Sequence, residues 1–229
     1  MAIADTQTGL SNSLTDLMTS LAVIFILLLC ASLNNAQQEG ESVRGAIVVD
    51  LQKELQAFFK EGVEVKKDEN DPLGLIILVP EGLLQFRLDK WIIPERGVEF
   101  LKGFIPQLAK TMVTFQKDIN SIVVEGHTDM SGTDEHNLEL SQKRSMTVVM
   151  ESLNALKDKD KDGARACFLE LLSASGRGKM EPFIDNATKQ PDSDKSRRVI
   201  FKIRVRSFEE KYEGKKPRYQ PVGDTLKAF

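Results

Sequence analysis

Ile122-Val-Val-Glu-Gly-His-Thr-Asp129 reads as a buried strand that runs out on a carboxylate, and Asn137-Leu-Glu-Leu-Ser-Gln-Lys-Arg144 opens the helix that follows it. The strand is a short apolar run over Ile122–Gly126, and the helix continues to Leu156 with Leu140, Met146, Val148, Val149 and Leu153 at helical spacing. Upstream, Pro94 opens a second helix through Val98, Leu101, Phe104, Ile105 and Leu108. Before it, Val63–Lys66 and Gly74–Val79 read as two strands around a turn-forming Asp-Glu-Asn-Asp-Pro. Downstream, Cys167–Ser173 is expected to be a third strand. Arg198–Val205 alternates as a half-buried one, with Lys202 and Arg204 facing out. Strands interleaved with helices predict an α+β sandwich with its helices on one sheet face.

A different solvent is implied near the N-terminus. Leu17–Leu33, LMTSLAVIFILLLCASL, carries no charge. At about 1.5 Å per residue it is just long enough for a hydrocarbon core of about 30 Å, with flanking polar residues at the interfaces. Asp16 sits at its edge, where a carboxylate is costly unless shielded, paired or neutralised, so it is a functional candidate. No Lys or Arg precedes Arg44, which argues against a cleaved signal and leaves the positive-inside rule without a vote on orientation. Leu-Leu-Leu-Cys30-Ala-Ser leaves a lipoprotein acylated at Cys30 as an alternative, although Leu29 is larger than the residue usual at that point.

The chain of 229 residues, 28% charged with net charge −3, fits one span plus one modest soluble domain and gives no basis for direct nucleic-acid binding. Cys30 lies in the apolar run and Cys167 far beyond it, so an intramolecular disulfide is not expected; Cys167 reads as a buried thiol or an intermolecular bridge. Val43, Ile47, Leu51, Leu55 and Phe58 or Phe59 stripe one face of a helix leaving the membrane. That stripe serves either packing on its own domain or a self-associating stalk or plug.

Four separated blocks carry a resemblance: Val124-Glu-Gly-His-Thr-Asp129, Asn137-Leu-Glu-Leu-Ser-Gln-Lys-Arg144, Ser175-Gly-Arg-Gly178 with Pro182 and Asn186, and Ser196-Arg-Arg-Val199. In this order they resemble the peptidoglycan-binding domain of the OmpA/MotB family. The resemblance implies a fold with one N-terminal transmembrane helix followed by an OmpA-like peptidoglycan-binding βαβαβ sandwich. It also implies a ligand that carries both a carboxylate and an ammonium, such as a meso-diaminopimelate moiety. Asp129 would accept from the ammonium and Arg144 would grip the carboxylate through its two-pronged guanidinium. Thr128 and Asn137 would shape the pocket and Leu140 would lie on its floor. The bland alternative makes Asp129 and Arg144 a structural ion pair and Asn137 an N-cap. His127 and His136 lack metal-ligand spacing, so no metal site is expected.

The membrane segment Asp16-Leu-Met-Thr-Ser-Leu-Ala-Val-Ile-Phe25 is similar to the Asp-x-Met-Thr pattern of stator B subunits of ion-driven rotary motors. This resemblance implies a homodimer inside a pentamer of a multi-span, MotA-like (ZorA-type) subunit in the bacterial inner membrane. The N-terminus would be cytoplasmic and the C-terminal domain periplasmic. Asp16 would carry a translocated proton or sodium ion, Thr19 would line its path, and no cofactor or enzymatic activity is implied. The alternative that Asp16 merely caps the membrane helix at the headgroups stays open. The N-terminal segment lacks the long basic tail of flagellar stators, which brings it nearer the Zorya-type anti-phage branch than a flagellar MotB-like subunit, with a Pal-like lipoprotein third. The expected organisation is a cytoplasmic 1–12, a transmembrane helix 13–36, an amphipathic helix and first strand 37–72, the OmpA-like domain 73–207 and a tail 208–229.

Asp158-Lys-Asp160-Lys-Asp162-Gly163 begins like a calcium loop, but Leu169 stands at the twelfth position and the acid comes one place late at Glu170. A solvated turn is the competing reading. The polar tail from Glu209, with Lys215-Lys-Pro-Arg218, carries no recognisable chemistry.

Overall fold

The computed structural model describes residues 2–84, 86–87, 89–157, 163–207 and 210. The Asp158–Asp162 acids and the tail beyond 210 lie outside the described residues. Helix α1 (Ala2–Glu54) runs unbroken from the apolar segment into the amphipathic one, about 80 Å at the helical rise. Its window from Leu14 onward is long and apolar enough to cross a membrane, and residues 14–35 are exposed. Its last turns behave differently. Ile47, Leu51 and Leu55 are fully buried in the domain core, and Thr111 Oγ1 donates to Asp50 at 2.7 Å. The amphipathic stripe therefore packs on its own domain. A short 3-10 turn (Gln56–Glu61) then ends at Gly62, whose φ of 96° takes the chain sharply into the sheet.

The sheet contains β1 (Glu64–Lys67), β2 (Gly74–Pro80), β3 (Ile119–His127), β4 (Leu172–Gly178) and β5 (Arg198–Val205). The spatial order is β1-β2-β5-β3-β4, antiparallel except for the parallel β3–β4 pair. Parallel neighbours need a crossover, supplied here by α4 (Asp134–Ala155) and α5 (Ala164–Leu171). Leu75, Ile77 and Val79, then Ile122 and Val124, then Val199, Phe201, Ile203 and Val205 form the buried face at period two. Helix α3 (Glu95–Thr114) sets Leu101, Phe104, Ile105 and Leu108 against it. Phe58, Phe100, Phe104 and Phe201 interlock there, with the Phe58 and Phe104 rings edge-on at 5.4 Å.

Two expectations change. Cys167–Leu171 is helical, and the strand begins only at Leu172. Helix α4 starts at Asp134 and is capped by Thr133, whose Oγ1 accepts from the His136 amide, so Asn137 lies inside the helix rather than capping it. Two short turns of helix, α2 (Glu81–Leu84) and α6 (Ser193–Ser196), complete the elements.

Candidate functional site

Helix α4 lies unusually close to the sheet because two glycines face it. A Cβ on Gly126 would stand 2.4 Å from the Ser141 carbonyl oxygen, and one on Gly176 would stand 2.5 Å from the Gln142 amide nitrogen. Gly126 and Gly176 pair across β3 and β4, so the groove is two strands wide. Polar side chains of the helix complete the seam: Gly178 N donates to Ser141 Oγ at 2.9 Å and Gly176 N to Gln142 Oε1 at 2.7 Å. This docking brings the helix face of Asn137, Leu140, Ser141 and Arg144 to the end of β3.

There the residues anticipated from sequence gather. Asp129 follows β3, with Oδ1 accepting from the Ser131 amide at 2.9 Å and Oδ2 from Arg197 Nη1 at 2.7 Å. Burial alone would raise its carboxyl, but the Ser131 amide and Arg197 outweigh that and hold it below the ordinary value. Asn137 is buried and donates to the Ser131 carbonyl at 2.6 Å, so it shapes the loop that presents Asp129. Leu140 is buried one turn on. Thr128 is 4% exposed; its amide donates to the Gly178 carbonyl at 2.9 Å, and its hydroxyl has no hydrogen-bond partner among the described residues.

Arg144, 5% exposed, does not pair with Asp129. Its Nη1 lies 2.6 Å from Glu81 Oε1, Nε donates to the Lys90 carbonyl at 3.0 Å, and the guanidinium stacks over Phe86 at 4.8 Å. Glu81 Oε2 in turn lies 3.0 Å from Arg197 Nε. A continuous chain Arg144–Glu81–Arg197–Asp129 therefore replaces the simple ion pair. Glu81 and Arg197 escape a sequence reading. A charge just after a buried strand ordinarily reads as solvated, and the Arg-Arg pair in Ser196-Arg-Arg-Val199 gives no sign of its partner.

On the opposite sheet face Glu125, His127 and Glu181 offer ligand-type atoms within 4.8 Å of one another. Lys202 Nζ lies 3.1 Å from Glu125, and Arg177 Nε donates to Glu181 at 3.1 Å. Both carboxylates thus already meet cations, with Glu125 and His127 buried and Glu181 and its arginine at the surface. Glu125 sits at about 2: burial would raise it, but the His127 ring and the Lys202 ammonium more than offset this. Burial pushes His127 below its ordinary value.

The other predicted pair is remote. Asp16 and Thr19 lie near the far end of α1, on one helical face with Ser20, Val23 and Ile24, and Thr19 Oγ1 donates to the Thr15 carbonyl. The two candidate sites are joined only through α1.

Residues 93–197, which span α3 to α6, match the OmpA family. The chain carries an OmpA-family domain. Over a longer stretch that includes that domain, it is 25% identical over 205 residues to the Zorya protein ZorB of Escherichia coli (strain Crooks), covering 83% of this chain and 86% of that protein. A putative MotB-like protein from Desulfovibrio vulgaris superposes with a TM-score of 0.53 at 20% identity, over 75% of this chain and 96% of its own, which speaks to a shared fold.

Proposed function

We propose that this chain is the B-type subunit of an ion-driven motor complex, anchored to peptidoglycan and of the Zorya anti-phage type. The observation that carries the reading is one helix with two environments: α1 bears Asp16 on an apolar, exposed segment and buries its other end in an OmpA-family domain. In this reading the apolar segment spans the bacterial inner membrane once and the domain is periplasmic. A second copy and a ring of multi-span, MotA-like or ZorA-type subunits cover the bare helix. Backbone polar groups inside α1 are satisfied within the helix, so only the carboxylate needs a partner in the bilayer. Asp16 takes up a proton or sodium ion, changes its contacts with the surrounding ring when neutralised, and releases the ion on the other side, while Thr19 lines the path. The domain binds a wall peptide through Asp129 and Arg144, with Thr128, Asn137 and Leu140 around it, and holds the subunit against the torque. The protein is thus an anchor and ion carrier, not an enzyme, and needs no cofactor.

The test is to co-express the full chain with its multi-span neighbour and replace Asp16 by Asn. The substitution is expected to abolish ion flux and phage restriction while the complex still co-purifies. Unchanged flux and restriction in Asp16→Asn would reduce the chain to a passive wall anchor. A mature N-terminus at Cys30 by mass spectrometry would replace the motor with a lipoprotein.

A further inference from the structure

The guanidinium assigned to the ligand is already holding a carboxylate. Arg144 reaches Glu81 Oε1 at 2.6 Å, while the other Glu81 oxygen meets Arg197 at 3.0 Å. Arg197 also engages Asp129 at 2.7 Å, so the carboxylate assigned to the ligand's ammonium meets an internal cation too. Both halves of a zwitterion's recognition are satisfied from within.

Two cavities meet at Glu81. Behind it, the space around Phe86, Gly126, His127, Arg144 and Val199 has no room for a water-sized guest. In front lies a cleft of about 440 Å³, whose walls include Glu81, Gly82, Phe183, Lys195 and Arg197. A cleft of that size lies within the range of small-ligand sites, of order 300–1,000 Å³. Glu81 and Arg198 line both spaces, and Glu81, which holds Arg144, therefore stands between that guanidinium and the open cleft.

We infer that Glu81 is an internal stand-in for the carboxylate of the wall peptide, a latch that the ligand must displace from Arg144. The inference rests on the peptidoglycan reading and adds its regulation. A ligand carboxylate arriving through the cleft exchanges with that of Glu81 at Arg144, leaving the number of charge-assisted bonds there unchanged. Glu81 turns toward the cleft and keeps Arg197. The latch is displaceable because a buried carboxylate pays desolvation even when paired. Burial indeed pushes the Glu81 carboxyl above its ordinary range, against the pull of Arg144 and Arg197. Apparent affinity is then lowered by the fraction of molecules that are latched.

The experiment compares full-length chain in detergent, as wild type, Glu81→Gln and Glu81→Gln/Arg144→Lys, for pelleting with purified sacculi and for competition by free diaminopimelate. Glu81→Gln keeps the size of the side chain and removes its charge; Glu81→Asp, which keeps the charge on a shorter arm, serves as the second variant should the first fold poorly. The expected result is binding tightened about tenfold in Glu81→Gln, the factor by which a latched population of roughly nine in ten lowers affinity, with less tightening in Glu81→Asp and loss when Arg144→Lys is added. Binding by wild type that is unchanged or weakened in Glu81→Gln would overturn the latch and leave the anchor reading intact. No binding by wild type or by either Glu81 variant would overturn both.

Discussion

Gly126 and Ser141 touch backbone to backbone: the hydrogen of the glycine occupies the only place from which a Cβ would reach within 2.4 Å of the Ser141 carbonyl oxygen. This contact sets how near α4 lies to β3, and with it the position of Arg144 relative to Asp129. Gly126→Ala must push the helix outward, because the obstacle is backbone and cannot rotate away. A loss of about 1–3 kcal/mol in unfolding free energy is expected, the usual cost of overpacking a core, with weakened binding to sacculi. Chemical denaturation of both proteins measures it. A stability equal to wild type would mean that the helix is not held where this contact places it.

Much of this arrangement is legible in the sequence, and the exceptions have physical causes. The strands at Gly74, Ile122 and Arg198 announce themselves because their buried faces are apolar at the strand period. Cys167-Phe-Leu-Glu-Leu-Leu172 is apolar enough for either state, and tertiary packing rather than propensity makes it a helix. The strand that follows, Ser173-Ala-Ser-Gly-Arg-Gly178, has only small residues, Gly176 and Gly178 among them, where α4 lies directly on it, so the feature that makes it fit also hides it. Asp129, Asn137 and Arg144 stand out through the resemblance of their sequence blocks to the OmpA/MotB pattern, and the fold brings them to one end of β3. Glu81 does not, because its partners stand 63 and 116 positions away along the chain and nothing local distinguishes it from a surface acid.

The buried network behind the site predicts acid sensitivity. His127 is 2% exposed, its Nε2 stands 3.7 Å from Glu125, and burial holds its folded pKa below the ordinary 6.5 despite that carboxylate. The unfolded chain therefore binds the extra proton first, so this contribution to stability is complete above 6.5 and declines as pH falls below it. Glu125 acts lower down: its pKa drops from 4.5 to about 2, so its contribution is present above 4.5 and is lost as pH falls toward 2. Thermal midpoints measured from pH 7.5 to 3 are expected to fall in two stages, and His127→Gln should remove the earlier one. A midpoint that stays flat between pH 7 and 5 would show that the imidazole is not buried in its neutral form.

The end of α1 tests whether the apolar helix and the OmpA-family domain form one mechanical body. Leu51 lies outside residues 93–197, yet it is fully buried, between Ile47 and Leu55 on the same helical stripe. Around it, Asp50 accepts from Thr111 at 2.7 Å and Glu54 from Lys110 at 3.1 Å, both on α3. A helix that merely passed the domain would tolerate truncation here, whereas one that supplies part of the core cannot. Leu51→Ala is therefore expected to cost about 2–5 kcal/mol of domain stability, as for other large-to-small core changes. Denaturant unfolding followed by the lone Trp91, in the loop before α3, reads the effect. The same logic separates stiffness from anchoring. If torque on the Asp16 end of α1 is borne by the wall, it must pass through this packed junction, so Leu51→Ala should reduce motor output even where sacculus binding survives. A variant with wild-type stability and wild-type output would show that the junction transmits no load.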